Sequence, residues 1–101
     1  MSTSEKAIET YGAKVAKENG LWAIKLGMLG GRGWPDHTIL GSGGRIAFIE
    51  YKVPGGGFQP LQKLIHKRLR KLGFTVVVID SKAGVNEFFK EWLDGSKKEK
   101  A

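Results

Sequence analysis

Two stretches of the sequence decide the fold: GWPDHTIL at residues 33–40 and IAFIEYK at residues 46–52. Both contain the β-branched and aromatic residues that favour strands, and the SGG segment between them is typical of a hairpin turn. Three charged residues stand out against this background, namely Asp36, Glu50 and Lys52. Neither strand needs a charge at these positions in order to fold, so the three residues require another explanation.

The length of the hairpin loop determines where Asp36 lies relative to Glu50. If residues 42–44 form a three-residue loop, Gly41 pairs with Arg45. Counting back along both strands from this pair places Asp36 directly opposite Glu50. A two-residue loop would shift the register and send the two carboxylates to opposite faces of the sheet. The glycine that ends the loop can adopt the left-handed conformation that three-residue loops require, so the sequence predicts that the carboxylates share a face.

Two carboxylates directly opposite one another destabilise a sheet unless another group neutralises them. A divalent cation can do so, because hard ions such as Mg²⁺ take oxygen ligands. Lys52 projects from the same face as Glu50, and a lysine beside a metal ion can orient an attacking water or neutralise charge that develops on a phosphate. The alternative interpretation is a solvated Glu–Lys edge with an aspartate in a turn.

The composition narrows the class of protein. The 101 residues are 41% apolar, so we expect one globular domain over residues 1–95, followed by a disordered basic tail at 96–101. The absence of cysteine excludes a disulfide framework, a thiolate zinc site and cysteine catalysis. No apolar run has membrane-spanning length and the N-terminus lacks a signal-peptide pattern, so we expect a cytoplasmic protein with no membrane partner.

The net charge of +7 favours a polyanionic partner, most simply nucleic acid. Much of this charge falls in the segment QPLQKLIHKRLRKL at 59–72, where Lys63, Lys67 and Arg70 could follow a phosphate backbone. Arg32, in a glycine-rich segment before the hairpin, is the best single candidate for a phosphate contact. The alternative for the helix is an ordinary solvated face.

Helix and strand patterns surround the hairpin. Helices are predicted at 4–19, at 59–72 and around Val85, additional strands at 21–26 and 74–80, and a mobile glycine-rich loop at 27–34. The order is therefore α-β-β-β-α-β-α. A helix between the third and fourth strands makes a crossover, so the last two strands should be parallel in a mixed sheet of the α/β class, flanked by helices.

Two helices carry notable apolar residues. The apolar face of the second helix consists of Leu61, Leu64, Ile65, Leu69 and Leu72. In the last helix, the large residues are Phe88, Phe89 and Trp92. These three exceed what one face of a short helix usually buries against a small sheet, so we expect part of their surface to contact a symmetry mate in a homodimer. The alternative is that all three belong to the core.

At the charged residues the sequence resembles the PD-(D/E)XK nuclease superfamily, and within it the small stand-alone VRR-NUC nucleases of phages and bacteria. The similarity runs from residue 5 to about residue 93 and includes GRGWPD (31–36), IAFIEYKVPGGG (46–57), PLQ (60–62) and LGFTVVVIDSKAGV (72–85). The resemblance implies a restriction-endonuclease-like fold with an α-β-β-β-α-β core, which is the order that the residue pattern gives independently, followed here by a C-terminal helix.

The resemblance also implies roles for individual residues. Asp36 and Glu50 would be metal ligands from the strands, with the main-chain carbonyl of Tyr51 as a further ligand. Lys52 would be the catalytic lysine, and Gln62 would help to set the site or contact the scissile phosphate. The implied cofactor is Mg²⁺ or Mn²⁺, and the implied reaction is hydrolysis of a phosphodiester by an activated water.

Related junction resolvases place another glutamate in the first helix. Glu9 matches that place, and Glu5, one turn earlier, is the rival. Glu9 shares a helix face with Gly12, Ala13 and Ala16, small residues that would let the helix approach the sheet closely. The two glutamates repel one another at a spacing of one helical turn, so neither is there for helix stability. A solvated helix charge is the alternative for both.

Four other residues have less definite assignments. Tyr51 stands where the family often has Leu or Val, and alternation turns its side chain away from Glu50, which indicates a packing role. His37 is expected on the face opposite Asp36. His66 lies among lysines and is predicted at the surface or on a phosphate, and Trp34 either stacks on a base or plugs its loop.

The pattern as a whole indicates a metal-dependent DNA endonuclease. Branched DNA such as a Holliday junction is the expected substrate, with flaps or single-strand regions as the alternative. A different class of function, a nucleic-acid-binding module without catalysis, fits the composition and the basic helix equally well. It does not explain three charged residues on one strand face, because acidic groups repel phosphate unless a metal ion intervenes. A helicase or another replication or repair protein is left open as a further partner.

Overall fold

The computed structural model describes residues 4–26 and 32–99, with side chains up to residue 95. Its elements are, in chain order, α1 (Glu5–Glu18), β1 (Trp22–Ile24), β2 (His37–Gly41), β3 (Arg45–Tyr51), α2 (Pro60–Lys71), β4 (Thr75–Ile79) and α3 (Lys82–Glu99). This is the order predicted from the sequence. Most of the loop predicted at 27–34 lies outside the described residues. The disorder predicted for 96–101 stays a prediction, because only the helical backbone of α3 is described there, and only to Glu99.

The strands form one mixed sheet in the order β1-β2-β3-β4. The first three are antiparallel neighbours, and β3 and β4 are parallel, as a crossover through α2 requires. Gly41 pairs with Arg45 and His37 pairs with Ile49, which confirms the predicted register. The pairing of β2 with β3 begins at His37, one residue after Asp36, so this aspartate lies at the end of the sheet, level with Glu50.

The hairpin loop explains this register. Ser42–Gly44 forms a tight turn in which Gly43 and Gly44 have φ angles of 76° and 77°. Residues with a side chain avoid this left-handed conformation, so the two glycines allow a tight three-residue loop. The sequence had indicated the left-handed conformation only for the second of them.

Helices cover both faces of the sheet. α1 and α3 lie on one face, over the main core, which contains Ile8, Ile39, Ile49, Tyr51, Val85, Phe89 and Trp92. α2 lies on the other face, over a smaller core of Phe48, Leu69 and Val76. Because side chains alternate along a strand, Glu50 shares the α2 face with Phe48, whereas Tyr51 points into the main core. The packing role predicted for Tyr51 is therefore confirmed.

Only part of the predicted apolar face of α2 is buried. Three of its five members are largely exposed: Leu61 (41%), Leu64 (58%) and Leu72 (70%). The side of the helix that faces the sheet carries Gln62, Ile65, His66 and Leu69 instead. This orientation places polar side chains of α2 opposite the polar end of β3.

Two of the three large apolar residues of α3 are buried within the protomer. Phe89 and Trp92 are 1% and 8% exposed, and Phe88 is half-buried beside them. The exposed apolar surplus expected from these three residues is therefore reduced to the partly exposed Phe88, because Phe89 and Trp92 fill the main core. Among the described ranges, neither α3 nor any other helix combines the length and apolarity needed to cross a lipid bilayer.

Trp34 plugs the start of the hairpin. Its ring meets Phe48 edge-on, with the centroids 5.5 Å apart, and it packs against the smaller core. Of the two roles open for this residue, the structure supports packing. The indole therefore connects the segment that carries Asp36 to the same face of the sheet as α2.

Candidate active site

Glu50 lies near the end of β3 and is almost fully buried, with 2% of its surface exposed. Burial disfavours the charged form and is the main reason why the pKa of Glu50 is raised to about 7. The charge of Asp36 raises this pKa further and Glu5 contributes in the same direction, whereas Lys52 lowers it. A carboxylate in this environment would be stabilised in its ionised form by a bound cation.

Asp36 is fixed beside Glu50 by the backbone of β3. Its Oδ2 atom accepts a hydrogen bond of 2.7 Å from the main-chain N–H of Tyr51, the residue after Glu50. Pro35, immediately before Asp36, is fully buried and restricts the backbone at this point. The two carboxylates predicted to share a face are therefore neighbours at the end of the sheet.

Lys52 reaches back toward Glu50. Its Nζ atom lies 3.7 Å from Glu50 Oε2 and donates a hydrogen bond of 3.3 Å to Gln62 Oε1. The ammonium group also lies over the ring of Phe58, 5.2 Å from the centroid. Phe58 was not singled out from the sequence, because nothing in a glycine-rich loop indicates which aromatic residue folds back onto the site.

Gln62 joins the lysine to the glutamate. Its Nε2 atom donates to Glu50 Oε2 at 3.4 Å, while its Oε1 atom accepts from Lys52 and from the main-chain N–H of Gln59 at 3.0 Å. The bond to Gln59 closes a capping box in the first turn of α2. The amide is thus oriented by the helix start, and the structure brings together Asp36, Glu50, Lys52 and Gln62.

His66 is part of this cluster, although the sequence predicted it at the surface or on a phosphate. It is 3% exposed, and its Nε2 atom lies 3.9 Å from Glu50 Oε1. Its ring meets Phe58 edge-on at 5.8 Å. Burial, aided by the charges of Arg70 and Lys52, lowers the pKa of His66 and favours the neutral imidazole. One feature of the sequence could have indicated this position: His66 lies one helical turn after Gln62 and therefore on the same helix face.

Comparison with known proteins identifies the family. No family model matches the chain. A phage protein named "Putative nuclease p44", from Acyrthosiphon pisum secondary endosymbiont phage 1, is 38% identical over 77 residues, which cover 76% of this chain and 83% of that protein. A solved structure described as "VRR_NUC domain" superposes with a TM-score of 0.79 at 29% identity, covering 88% of this chain and 97% of the other. The chain belongs to the VRR-NUC nuclease family. Its α/β fold is the one that the sequence predicted.

The first-helix glutamates of this VRR-NUC domain have different surroundings. Glu9 forms an ion pair of 2.7 Å with Lys25, and its Oε2 atom lies 3.5 Å from Nε2 of the buried His37. His37 lies against the ring of Tyr51, on the face opposite Asp36 as predicted. Glu5 has an exposed side chain, and its charge is one of those that raise the pKa of Glu50. Glu9 is therefore already paired, while Glu5 acts on the site through its charge.

The basic residues of the VRR-NUC domain flank the cluster. Arg32 lines a cleft of about 420 Å³ together with the start of α2, including Gln62. A second groove, of about 270 Å³, is lined by Lys63, His66 and Arg70 among others. Lys63, Lys67 and Arg70 all have exposed side chains. Arg70 differs from the two lysines because it donates a hydrogen bond of 3.1 Å to the carbonyl of Val76. Of these three basic residues of α2, Lys63 and Lys67 are therefore more open to a phosphate than Arg70.

The donor set of the site fits a hard cation. Among the described residues, no three His, Cys, Asp or Glu side chains are grouped closely enough to hold a metal ion by themselves. Two carboxylates are adjacent, however, and the buried Oε1 atom of Glu50 has no hydrogen-bond partner. Two carboxylates completed by main-chain oxygen and water are a typical ligand set for Mg²⁺. The residues present therefore suit an ion of this class.

Proposed function

We propose that this protein is a metal-dependent endonuclease that hydrolyses phosphodiester bonds in DNA. The observation that carries the proposal is the Gln62 side chain, which is hydrogen-bonded to both Lys52 and Glu50. A lysine and a buried carboxylate coupled through one amide, beside Asp36, are what metal-assisted phosphoryl chemistry needs. An ordinary solvated strand edge would need none of these contacts.

Each residue has a distinct part in the proposed reaction. Asp36 and Glu50 would hold Mg²⁺ or Mn²⁺ together with the Tyr51 carbonyl. The ion would neutralise negative charge on the phosphate and make a bound water molecule more acidic. Lys52, kept in place by Gln62 and the face of Phe58, orients the attacking water or neutralises charge that develops on the phosphate. Arg32, Lys63, Lys67 and Arg70 would bind neighbouring phosphates.

Glu9 is the proposed ligand from the first helix, and Glu5 is the alternative. For Glu9 to bind the ion, it must exchange its ion pair with Lys25 for the cation. Glu5 forms no ion pair with another described residue, and its charge already raises the pKa of Glu50. The two assignments therefore predict different effects of removing Lys25.

Branched DNA is the proposed substrate class, with flaps and single-strand regions as the alternative. Paired incision of a four-way junction within one binding event needs two active sites, and a two-fold dimer would supply them. Because Phe89 and Trp92 belong to the core of the protomer and Phe88 alone of the three keeps partial exposure, the proposed homodimer rests mainly on the geometry of the substrate. Light scattering at micromolar concentration, together with mapping of both incisions, tests it.

The decisive experiment is cleavage of an end-labelled four-way junction, with flap, nicked, single-stranded and linear duplex DNA as comparisons. We expect cleavage with Mg²⁺ or Mn²⁺ and none in chelator, and no detectable cleavage by Lys52→Ala at the enzyme concentration and time at which the wild type cuts fully. DNA binding without cleavage in both metals would instead identify a non-catalytic nucleic-acid-binding module.

A further inference from the structure

Helix α2 presents two side chains, one turn apart, to a single carboxylate. Gln62 Nε2 lies 3.4 Å from Oε2 of Glu50, and His66 Nε2 lies 3.9 Å from Oε1. Residues four apart in a helix lie on the same face, so one helix places a side chain near each of the two carboxylate oxygens of Glu50. The reaction proposed above uses Gln62 and assigns nothing to His66.

Both atoms of the second contact are buried and unsatisfied. Neither His66 Nε2 nor Glu50 Oε1 has a hydrogen-bond partner among the described residues. Buried polar atoms are rarely left in this condition, and an unpaired donor facing an unpaired acceptor indicates a bond that forms in another state of the site. Such a bond requires the 3.9 Å separation to shorten to about 3 Å.

Phe58 restricts how the imidazole can move. Its ring packs edge-on against His66 at 5.8 Å, and Lys52 lies over the same ring at 5.2 Å. Both rings belong to the wall of the groove that adjoins Lys63 and Arg70. The imidazole is therefore packed between Phe58 and Glu50.

We propose that His66 is a positioning residue whose Nε2–H donates a hydrogen bond to Glu50 Oε1 and fixes the orientation of that carboxylate for metal binding. The proposal rests on the proposed function, because it assumes that Glu50 is a metal ligand. The contact requires only the N–H group of a neutral imidazole. Carboxylate ligands are commonly oriented by such neighbouring donors, and loss of the donor typically weakens metal binding about 10- to 100-fold.

The test compares His66→Phe, which keeps a ring of similar size but has no donor, with His66→Gln, which keeps an N–H donor. Mn²⁺ affinity is measured by titration calorimetry on the whole chain, and folding is checked by thermal melts in chelator. We expect His66→Phe to bind Mn²⁺ about 10- to 100-fold more weakly and His66→Gln to recover most of the loss. Leu69→Ala, a core change on the same helix, should lower the melting temperature without changing Mn²⁺ affinity.

A second measurement tests the contact between His66 and Glu50 in the wild-type protein, without any substitution. In ¹⁵N NMR spectra of the wild type, the Nε2–H tautomer of His66 should be populated, and its Nε2 resonance should shift when Mg²⁺ is added. Wild-type Mn²⁺ affinity in a folded His66→Phe protein, or a His66 resonance that Mg²⁺ leaves unchanged, would overturn the inference while leaving the nuclease proposal intact. Failure of the wild type to bind Mn²⁺ and to cleave any DNA would overturn both.

Discussion

Asp36 accepts a hydrogen bond of 2.7 Å from the main-chain N–H of Tyr51. This contact joins the residue that precedes β2 to the end of β3 and leaves the Asp36 carboxylate beside Glu50. A backbone donor cannot move away as a flexible side chain can, so the fold keeps the two like charges together. The protein therefore carries an electrostatic strain at this point that a cation would relieve.

Lys52→Ala should abolish cleavage while preserving the fold and most of the DNA affinity. The amine is expected to act on water or on the transition state, so its loss should lower kcat on the order of 10²- to 10⁴-fold with little change in ground-state binding. Single-turnover cleavage and DNA titrations measure the two quantities separately. Lys63→Ala, an exposed lysine of α2, is the matched control and should affect binding rather than kcat. Full activity in a folded Lys52→Ala protein would refute the mechanism.

Glu50→Gln should stabilise the metal-free protein near neutral pH and abolish metal-dependent cleavage. Since the pKa of Glu50 is raised to about 7 in the folded protein, its ionisation above that pH opposes folding. The rise of the Glu50 pKa from 4.5 to about 7 corresponds to a free energy of unfolding lowered by on the order of 3 kcal/mol at high pH. Asp36→Asn should act in the same direction, because it removes the neighbouring charge. Melting temperatures in chelator at pH 8 test both, and a clear loss of stability in both would mark these residues as structural.

The same raised pKa predicts a pH dependence of stability. The contribution of Glu50 should be fully present below its ordinary pKa of 4.5 and lost as the pH rises through about 7. His37 and His66, whose pKa values are lowered by burial, act oppositely: their contribution is present above 6.5 and is lost as the pH falls below it. Subtracting the Glu50→Gln curve from that of the wild type isolates Glu50. A flat difference between pH 4.5 and 8 would contradict the assignment.

Gly12→Ala should destabilise the fold. An added Cβ atom would lie 1.9 Å from the hydroxyl oxygen of Tyr51, whose side chain is fully buried between α1 and the sheet. Either α1 or the ring must shift, at a free-energy cost of about 1–3 kcal/mol in unfolding experiments. Gly57→Ala is the control, because nothing lies within 4 Å of its added Cβ. Equal stability of the two variants would mean that α1 is not closely packed on β3.

Lys25→Ala should distinguish Glu9 from Glu5 as the ligand of the first helix. If Glu9 binds the ion, removal of its partner frees it, and metal affinity should rise a few-fold. The same change in a Glu9→Gln background should then have little effect. Equal gains in both backgrounds would show that Lys25 acts only through its charge, which is expected if Glu5 is the ligand. Mn²⁺ titrations of the two single variants and the double variant provide the measurement.

The hairpin and the relative positions of its three charged residues could be predicted from the sequence alone, because they depend on strand alternation and loop length. Strand alternation puts Glu50 and Lys52 on one face, and the SGG loop sets the register that brings Asp36 level with Glu50. These relationships lie within one hairpin, whose short loop fixes the pairing of its two strands. The order of elements and the parallel last pair of strands follow in the same way, from periodicity and the crossover rule.

Only the tertiary structure decided which face of α2 meets the sheet. The leucine pattern indicated one face, yet Leu61, Leu64 and Leu72 are exposed and His66 is buried against Glu50. Helix orientation depends on the whole surface that the sheet presents, including its polar end, and local periodicity contains no information about that surface. Docking of distant elements likewise put Phe89 and Trp92 in the core and paired Glu9 with Lys25. Such contacts join residues far apart in the chain, and their free energy is realised only when the elements have packed.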